Sequence, residues 1–268
     1  MKKNASVGAQ IGNRYNIRVL DRAFRILGLL SDGKPRSLQQ LSEEIQLSAS
    51  TTFRQLATLA SYGYVQRDEQ TGQYELGRAC LELARAYYEG NDLRRIALPE
   101  LERLRNETRE TVHLAVLDRM EIVYIEKLQG LHAIGLMGSR VGGRAPAYCT
   151  GVGKLLLAHE TAQVIKHYFV RRKLRRYTES TITSYAALVS ELESIHNQGY
   201  ALDHGEHESQ VRCIAAPIFD MKGHVIAGLS ISGPMDRMEP IERNRGMIEN
   251  AKQTARNISG MLGYSLLT

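Results

Sequence analysis

The sequence has no tryptophan, only three cysteines and six prolines in 268 residues, and no apolar run near the roughly 20 residues of a membrane-spanning helix. Cys80, Cys149 and Cys213 lie far apart and form no CxxC pair, so neither a disulfide framework nor a structural zinc site is expected. Residues 1–18 carry no apolar signal core, which predicts a cytoplasmic protein that does not engage a membrane. Hydrophobic residues make up 43% and charged residues 24%, ordinary globular usage that argues against long disorder or a coiled-coil rod. The length predicts two domains, each large enough to bury its own core. The net charge of +6 is unevenly spread: residues 1–80 hold 11 Lys and Arg against 7 Asp and Glu, the remainder 24 against 22. A polyanionic partner for the N-terminal part follows from that excess.

Residues 1–17 mix polar, Gly and small residues without periodicity and read as a flexible arm. Val19, Leu20, Ala23, Phe24, Ile26, Leu27 and Leu30 then recur at helical spacing up to the stop Asp32-Gly33-Lys34-Pro35. Ser37 and Gln40 form a capping box before a short second helix, and Gln46 and Leu47 make the turn. Ser48 caps a third helix, in which Phe53, Leu56, Ala57, Leu59 and Ala60 are expected to point inward. Residues 64–67 and 73–76 alternate as two short strands around a polar, Gly-containing loop, a wing. Three helices and a hairpin in this order make a winged helix-turn-helix, which presents its third helix to the major groove of double-stranded DNA. The DNA-contacting candidates are Ser48, Ser50, Thr51, Thr52, Arg54, Gln55 and Thr58 on that helix and Arg67 on the wing. Most are small or hydrogen-bonding side chains suited to base edges and phosphates.

Residues 79–90 are too apolar for a free linker and predict a linker helix that packs on a second copy of itself. Residues 91–268 read as a further domain. It opens with a helix to Thr108, followed by strands at 111–117, 122–128, 132–137, 200–203, 212–219 and 224–232. Helices are expected at 152–159, 162–171, 186–197 and 240–262. The fold class is α+β: a winged helix-turn-helix over 18–78, the linker helix, and an α/β domain with a largely antiparallel sheet.

The stretch RAPAYCTGVGKLLL at 144–157 leads a Gly-rich loop into a helix, a place where free backbone N–H groups attract an anion. A nucleotide-hydrolysing loop is excluded, because Tyr148 stands where its first glycine is needed and Leu155 where a Ser or Thr must follow the lysine. The amides of Gly151, Val152 and Gly153 either hold a carboxylate or merely permit close packing. The run Asp203-His204-Gly205-Glu206-His207-Glu208 suggests metal, yet His204 and Glu206 alternate along an extended chain with His207 opposite, so a solvated turn is the better reading. His113 is expected to satisfy a core hydrogen bond. Gly228-Leu229-Ser230-Ile231-Ser232 lacks the fifth glycine and the strand-to-helix turn of a nucleophile elbow. Ser230 and Ser232 instead share one strand face and are expected to line a polar pocket beside Asp203 and Cys213. No catalytic residue, metal or cofactor is singled out. The residues alone leave open a metal-assisted small-molecule hydrolase using His204, Glu206 and His207, with the N-terminal domain as an interaction module, and also a DNA-binding protein without an effector.

Taken in order, LSASTTFRQL at 47–56, YGYVQRD at 62–68, RAPAYCTGVGKLLLA at 144–158 and RCIAAPIFD at 212–220 followed by IAGLSISGP resemble the IclR family of bacterial transcription regulators. The resemblance implies a C-terminal effector-binding and oligomerisation domain of GAF-like fold, a homodimer or homotetramer, and no catalysed reaction. It also implies an effector pocket at Ile134, Met137, Ala145, Gly151, Val152, Asp203, Cys213, Ser230 and Ser232, with loop amides on the effector's carboxylate and Ile134, Met137 and Ala145 as the apolar wall. The second-domain motifs are most similar to repressors of sugar-acid catabolism of the 2-keto-3-deoxygluconate type, which implies a small organic-acid or sugar-acid effector and a carbohydrate operon. Gln210 stands where the family usually has glycine, and Gly205 where an acidic residue is common.

Overall fold

The computed structural model describes residues 17–90, 92–132 and 137–265, and the chain divides into two compact units, Met1–Gly90 and Asn91–Thr268. Residues 1–16 of the expected arm, the core of the strand expected at 132–137, and the pocket candidate Ile134 lie outside the described residues.

In the first unit, α1 (Arg18–Leu30), α2 (Leu38–Ile45) and α3 (Ala49–Ser61) precede the antiparallel hairpin of β1 (Val65–Arg67) and β2 (Tyr74–Leu76), and α4 (Ala79–Glu89) follows. The capping box opens α2: Ser37 Oγ accepts the Gln40 N–H at 3.2 Å while Gln40 Oε1 accepts the Ser37 N–H at 2.8 Å. Gln46 ends the helix in the left-handed region, and the Ser48 side chain then caps α3 by accepting the Thr51 N–H. Ile26, Leu30, Leu41, Ile45, Leu56, Val65 and Tyr74 form the core.

The inward face of α3 differs from the expected one. Thr52, Gln55 and Leu56 are buried, with Leu59 partly so, whereas Phe53, Ala57 and Ala60 are exposed. The spacing i, i+3, i+4, i+7 is kept, but its phase is set by Leu56 and Leu59 rather than by the number of apolar residues, and Thr52 can enter because its hydroxyl donates to Ser48 O at 3.1 Å. Similarly, α1 buries only Ile26 and Leu30 of its apolar stripe, leaving Val19, Leu20 and Phe24 exposed, Phe24 by 67%.

The second unit begins with α5 (Asp92–Thr108) and is built on one six-stranded sheet in the order β5-β4-β3-β8-β7-β6, every neighbouring pair antiparallel. The strands are β3 (Thr111–Asp118), β4 (Glu121–Leu128), β5 (Arg144–Pro146), β6 (Ala201–Asp203), β7 (Val211–Phe219) and β8 (Val225–Pro234). Strand β5 was not expected, because its three residues are too few to show alternation. Helices α6 (Gly151–Leu157), α7 (Ala162–Phe169) and α8 (Tyr185–Gln198) separate β5 from β6. The single helix expected over 240–262 is instead α9 (Met235–Met238), a 3-10 turn at Ile241–Arg243, and α10 (Arg245–Met261), which Asn244 caps by accepting the Met247 N–H.

The two-residue period of the strands sorts the sheet into two faces. Val112, Leu114, Ile214, Ala216, Leu229 and Ile231 pack with Leu101 and Leu104 of α5 and Ala251 and Ile258 of α10. Ala115 and Ala215, on the opposite face, join a core made by α6, α7 and α8. His113, Cys213, Ser230 and Ser232 have the parity of that second face.

Candidate functional site

On the reading head, Ser48, Ser50, Arg54, Thr58 and Arg67 are exposed and Thr51 half-exposed, within reach of a polyanion. Thr52 and Gln55 are not. Both belong to the buried face of α3, which removes them as direct DNA contacts. Thr51, Arg54 and Thr58 stand along one side of an apolar groove of about 840 Å³, shared with Val19, Leu20 and Phe24 of α1 and Leu83 of α4. The wing holds Arg67 over the Tyr74 ring, its guanidinium carbon 5.8 Å from the centroid, and its Nε donates to Gly72 O at 3.2 Å.

In the second unit, the sheet register gathers the polar residues. Asp203 faces Cys213, Cys213 faces Ser232, and Ser230 faces His113. Around them a cavity is lined by seven of the expected residues, Met137, Gly151, Val152, Asp203, Cys213, Ser230 and Ser232. Its free space is about 40 Å³, room for a water or two and far below the ~300 Å³ at which ligand pockets usually begin, and it is partly open rather than sealed. Ala145 does not line it. On β5 it pairs with Ile122 of β4 and is buried in the apolar core instead. Gly153 is also absent from the lining, and a Cβ there would stand 2.3 Å from Ala147 O, so this glycine serves close packing. At the first turn of α6, Thr150 provides no side-chain cap, because its hydroxyl donates to Pro146 O at 3.2 Å.

Sequence reasoning missed His113, Tyr124, Ser139, Thr150, His207, Glu208 and Val211 in the lining. His113 is the central one. Its Nδ1 lies 3.3 Å from Ser230 Oγ and 3.4 Å from Ser232 Oγ, and its Nε2 lies 2.8 Å from Ser139 Oγ. Burial, with Lys127 nearby, lowers its pKa to about 3, so the ring is a neutral donor-acceptor. Burial likewise raises the Cys213 thiol and the Tyr124 phenol, keeping both protonated. The same parity that pointed to Ser230 and Ser232 places His113 beside them once β3 is paired with β8, a long-range pairing that spacing does not reveal. Lys127 Nζ donates to Met137 O at 3.2 Å and Ser139 O at 2.6 Å, pinning the segment that closes one side of the cavity.

The run after β6 is a built turn, largely buried rather than solvated. Asp203 Oδ1 accepts the N–H groups of Gly205 at 3.0 Å and Glu206 at 2.9 Å. Thr178 Oγ1 donates to Gly205 O at 2.7 Å and Thr181 Oγ1 to Glu206 O at 2.6 Å. Gly205 has φ +80°, and a Cβ there would lie 2.6 Å from Ser209 O, so the acidic residue common in the family does not fit this turn. Glu206 pairs with buried Lys154 of α6, His207 lies against the Tyr177 ring at 4.7 Å, and His204 Nδ1 is 3.5 Å from Glu242 Oε1. Among the described residues, no three His, Cys, Asp or Glu side chains are grouped to hold a metal ion.

The winged head and the polar cavity of the second unit define a DNA-binding transcriptional regulator with a small-molecule effector domain. The IclR helix-turn-helix domain model matches residues 19–69, and that of the bacterial transcriptional regulator IclR C-terminal domain matches residues 85–260. The chain belongs to the IclR family. It is 38% identical to the HTH-type transcriptional regulator KdgR of Escherichia coli over 91% of this chain and 92% of that protein. It is 33% identical to the HTH-type transcriptional repressor AllR of Klebsiella pneumoniae over 92% and 90%. Among solved structures, an IclR homologue from Microbacterium hydrocarbonoxydans complexed with 4-hydroxybenzoate is 29% identical, with a TM-score of 0.79 over 91% of this chain and 98% of that one. These relatives are regulators rather than enzymes. No helix among the described residues is long and apolar enough to cross a membrane.

Proposed function

We propose that the chain is a cytoplasmic repressor of a carbohydrate or sugar-acid catabolic operon, which binds a specific double-stranded operator as a homodimer and is released by a small carboxylate. The observation that carries the effector half of this reading is the cavity beside α6. There neutral hydrogen-bonding groups, His113, Ser230 and Ser232, stand opposite an uncapped helix turn, a setting for a hydroxylated acid. Likeness to the repressor AllR supports the repressor role, and the neighbour's 4-hydroxybenzoate supports a carboxylate. Homodimerisation is supported by the exposed apolar side chains of α1 and α4, Val19, Leu20, Phe24, Leu81 and Leu83, more than a free head should leave in water. A second such dimer would give the tetramer.

In this reading, two α3 helices enter major grooves one helical turn, about 34–36 Å, apart, while the wings hold phosphates. A six-carbon acid exceeds the present space, so its entry displaces a wall. The segment at 137–139, tied by Lys127 and by the Ser139–His113 bond, is the wall that would move, and its movement would couple occupancy to head spacing. Selection of bound fragments from a bacterial genome by the purified protein, with and without a mixture of sugar acids and keto acids, tests this. Recovery of palindromic promoter sites whose occupancy falls with the acids is expected. Unselective recovery at moderate salt would overturn the operator reading, and selected sites indifferent to every acid would overturn the effector reading.

A further inference from the structure

We propose that α7 and the turn after it form a second DNA-backbone contact surface, borne by the effector domain and separate from the winged head. Between Glu160 and Glu179 the chain carries six Lys and Arg and no acid: Lys166, Arg171, Arg172, Lys173, Arg175 and Arg176. All six are exposed, and among the described residues none pairs with a carboxylate. Elsewhere in the same domain several arginines are neutralised: Arg94 by Glu126, Arg103 by Glu100, Arg144 by Asp118, Arg212 by Glu239 and Arg237 by Glu110. Six cations within residues 166–176, with no acid among them and no carboxylate of the described residues on any of them, concentrate a positive field at one place.

The field sits on a fixed platform. Ile165, Phe169 and Leu174 are buried beneath it, and Tyr148 Oη donates to Arg175 O at 2.8 Å. The Arg172 guanidinium lies 3.9 Å over the Tyr168 ring and that of Arg175 lies 5.0 Å from the Tyr177 centroid, which orients their N–H edges without consuming their charge. Tyr168 Oη also donates to Arg119 O at 2.9 Å, bringing the β3–β4 turn alongside, and the acids of that turn, Asp118 and Glu121, are already engaged by Arg144. Exposed Arg119 thereby adds a seventh cation.

Phosphate backbone is the partner that fits. Protein interfaces gather apolar and aromatic side chains at their centre, whereas Val170 is the one large exposed hydrophobic residue in this stretch. Surfaces for DNA are more polar and strongly positive, and arginine forks suit phosphate oxygens. The head, by contrast, exposes Arg54 and Arg67 as its long cations on the third helix and wing strands.

The test uses the full chain and a non-operator duplex of about 60 base pairs, with affinity followed against salt. In an Arg54→Ala/Arg67→Ala protein, which disables the head, salt-dependent binding to that duplex is expected to persist. Adding Arg171→Gln, Lys173→Gln and Arg175→Gln is expected to flatten the slope of log affinity against log salt by about 3 and to weaken binding at least tenfold at about 0.1 M salt. These three changes leave the Arg172–Tyr168 stack in place, and an unchanged melting temperature shows that the fold is kept. Equal affinity and slope with and without the three changes would overturn the proposal. So would loss of binding to poly-glutamate with DNA binding unchanged, which would assign the surface to an acidic protein segment. Operator selectivity is read separately, so failure of the repressor reading leaves this outcome legible.

Discussion

Lys154 and Glu206 form an ion pair with both side chains almost wholly out of water, the lysine 1% exposed. Lys154 Nζ also donates to Glu191 Oε1 at 2.7 Å. Two carboxylates around one ammonium outweigh the burial that disfavours its charge, so the lysine stays protonated. Burial raises the Glu206 carboxyl to about 7 against the pull of Lys154, because the cluster already has more negative than positive charge to house. The pair joins the helix that lines the cavity to the turn that carries Asp203.

Removing one partner should therefore be costly and removing both less so. Lys154→Met is expected to destabilise the protein by about 3–5 kcal/mol, since it leaves buried acids without their cation. The double variant Lys154→Met/Glu206→Gln should recover part of that loss. Urea denaturation at pH 7.5 checks both. Equal stability of single and double variants would mean that the pair is not coupled.

His113 sets a pH dependence of definite sign. Its folded pKa, about 3, lies below the ordinary 6.5, so the unfolded chain takes up the extra proton between these values. Its contribution to stability is thus intact above pH 6.5 and lost progressively as the pH falls toward 3. In His113→Gln, denaturation midpoints measured from pH 7 to 4.5 should fall less steeply than in the wild type.

On the head, exposure separates readers from supports. Arg54→Ala should weaken operator binding by roughly 1–3 kcal/mol with the melting temperature unchanged. Thr52→Ala should lower stability by about 1 kcal/mol through loss of its bond to Ser48 O, and affect DNA binding only as far as the helix frays. Paired gel-shift and thermal-melting measurements distinguish them. A fall in DNA affinity on Thr52→Ala at constant stability would reverse the assignment.

At the cavity, Ser232→Ala and Asp203→Asn should abolish the thermal shift produced by the effective acid while sparing operator affinity. Asp203 is the more revealing change. Its Oδ1 already serves two backbone N–H groups, so an asparagine that keeps those bonds tests the charge alone. Calorimetric titration of each variant with the acids that stabilise the wild type provides the check.

Much of the head was legible because local chemistry writes it: the Ser37–Gln40 box, the Ser48 cap and the stop at Gly33 need only near neighbours. The phase of α3 was not, since whether Thr52 or Phe53 turns inward depends on what α1 and the hairpin place opposite. In the second domain the strands showed their alternation, and Ser230, Ser232, Asp203 and Cys213 could be paired by parity. His113 was hidden because β3 meets β8 across more than a hundred residues of sequence. Ala145 was placed in the wall by the family resemblance alone, and three residues are too few to reveal the strand that takes it into the core.

With about 40 Å³ of free space, the cavity would also set how fast the protein responds. In the proposed reading, an acid larger than that space enters only when Ser139 leaves His113 and Lys127 releases Met137 and Ser139, so its arrival rate would follow the frequency of that movement and fall below that of a preformed cleft. Its departure would wait on the same event. A brief pulse of metabolite would then pass unanswered while a sustained supply is registered, a filter in time as well as in chemistry.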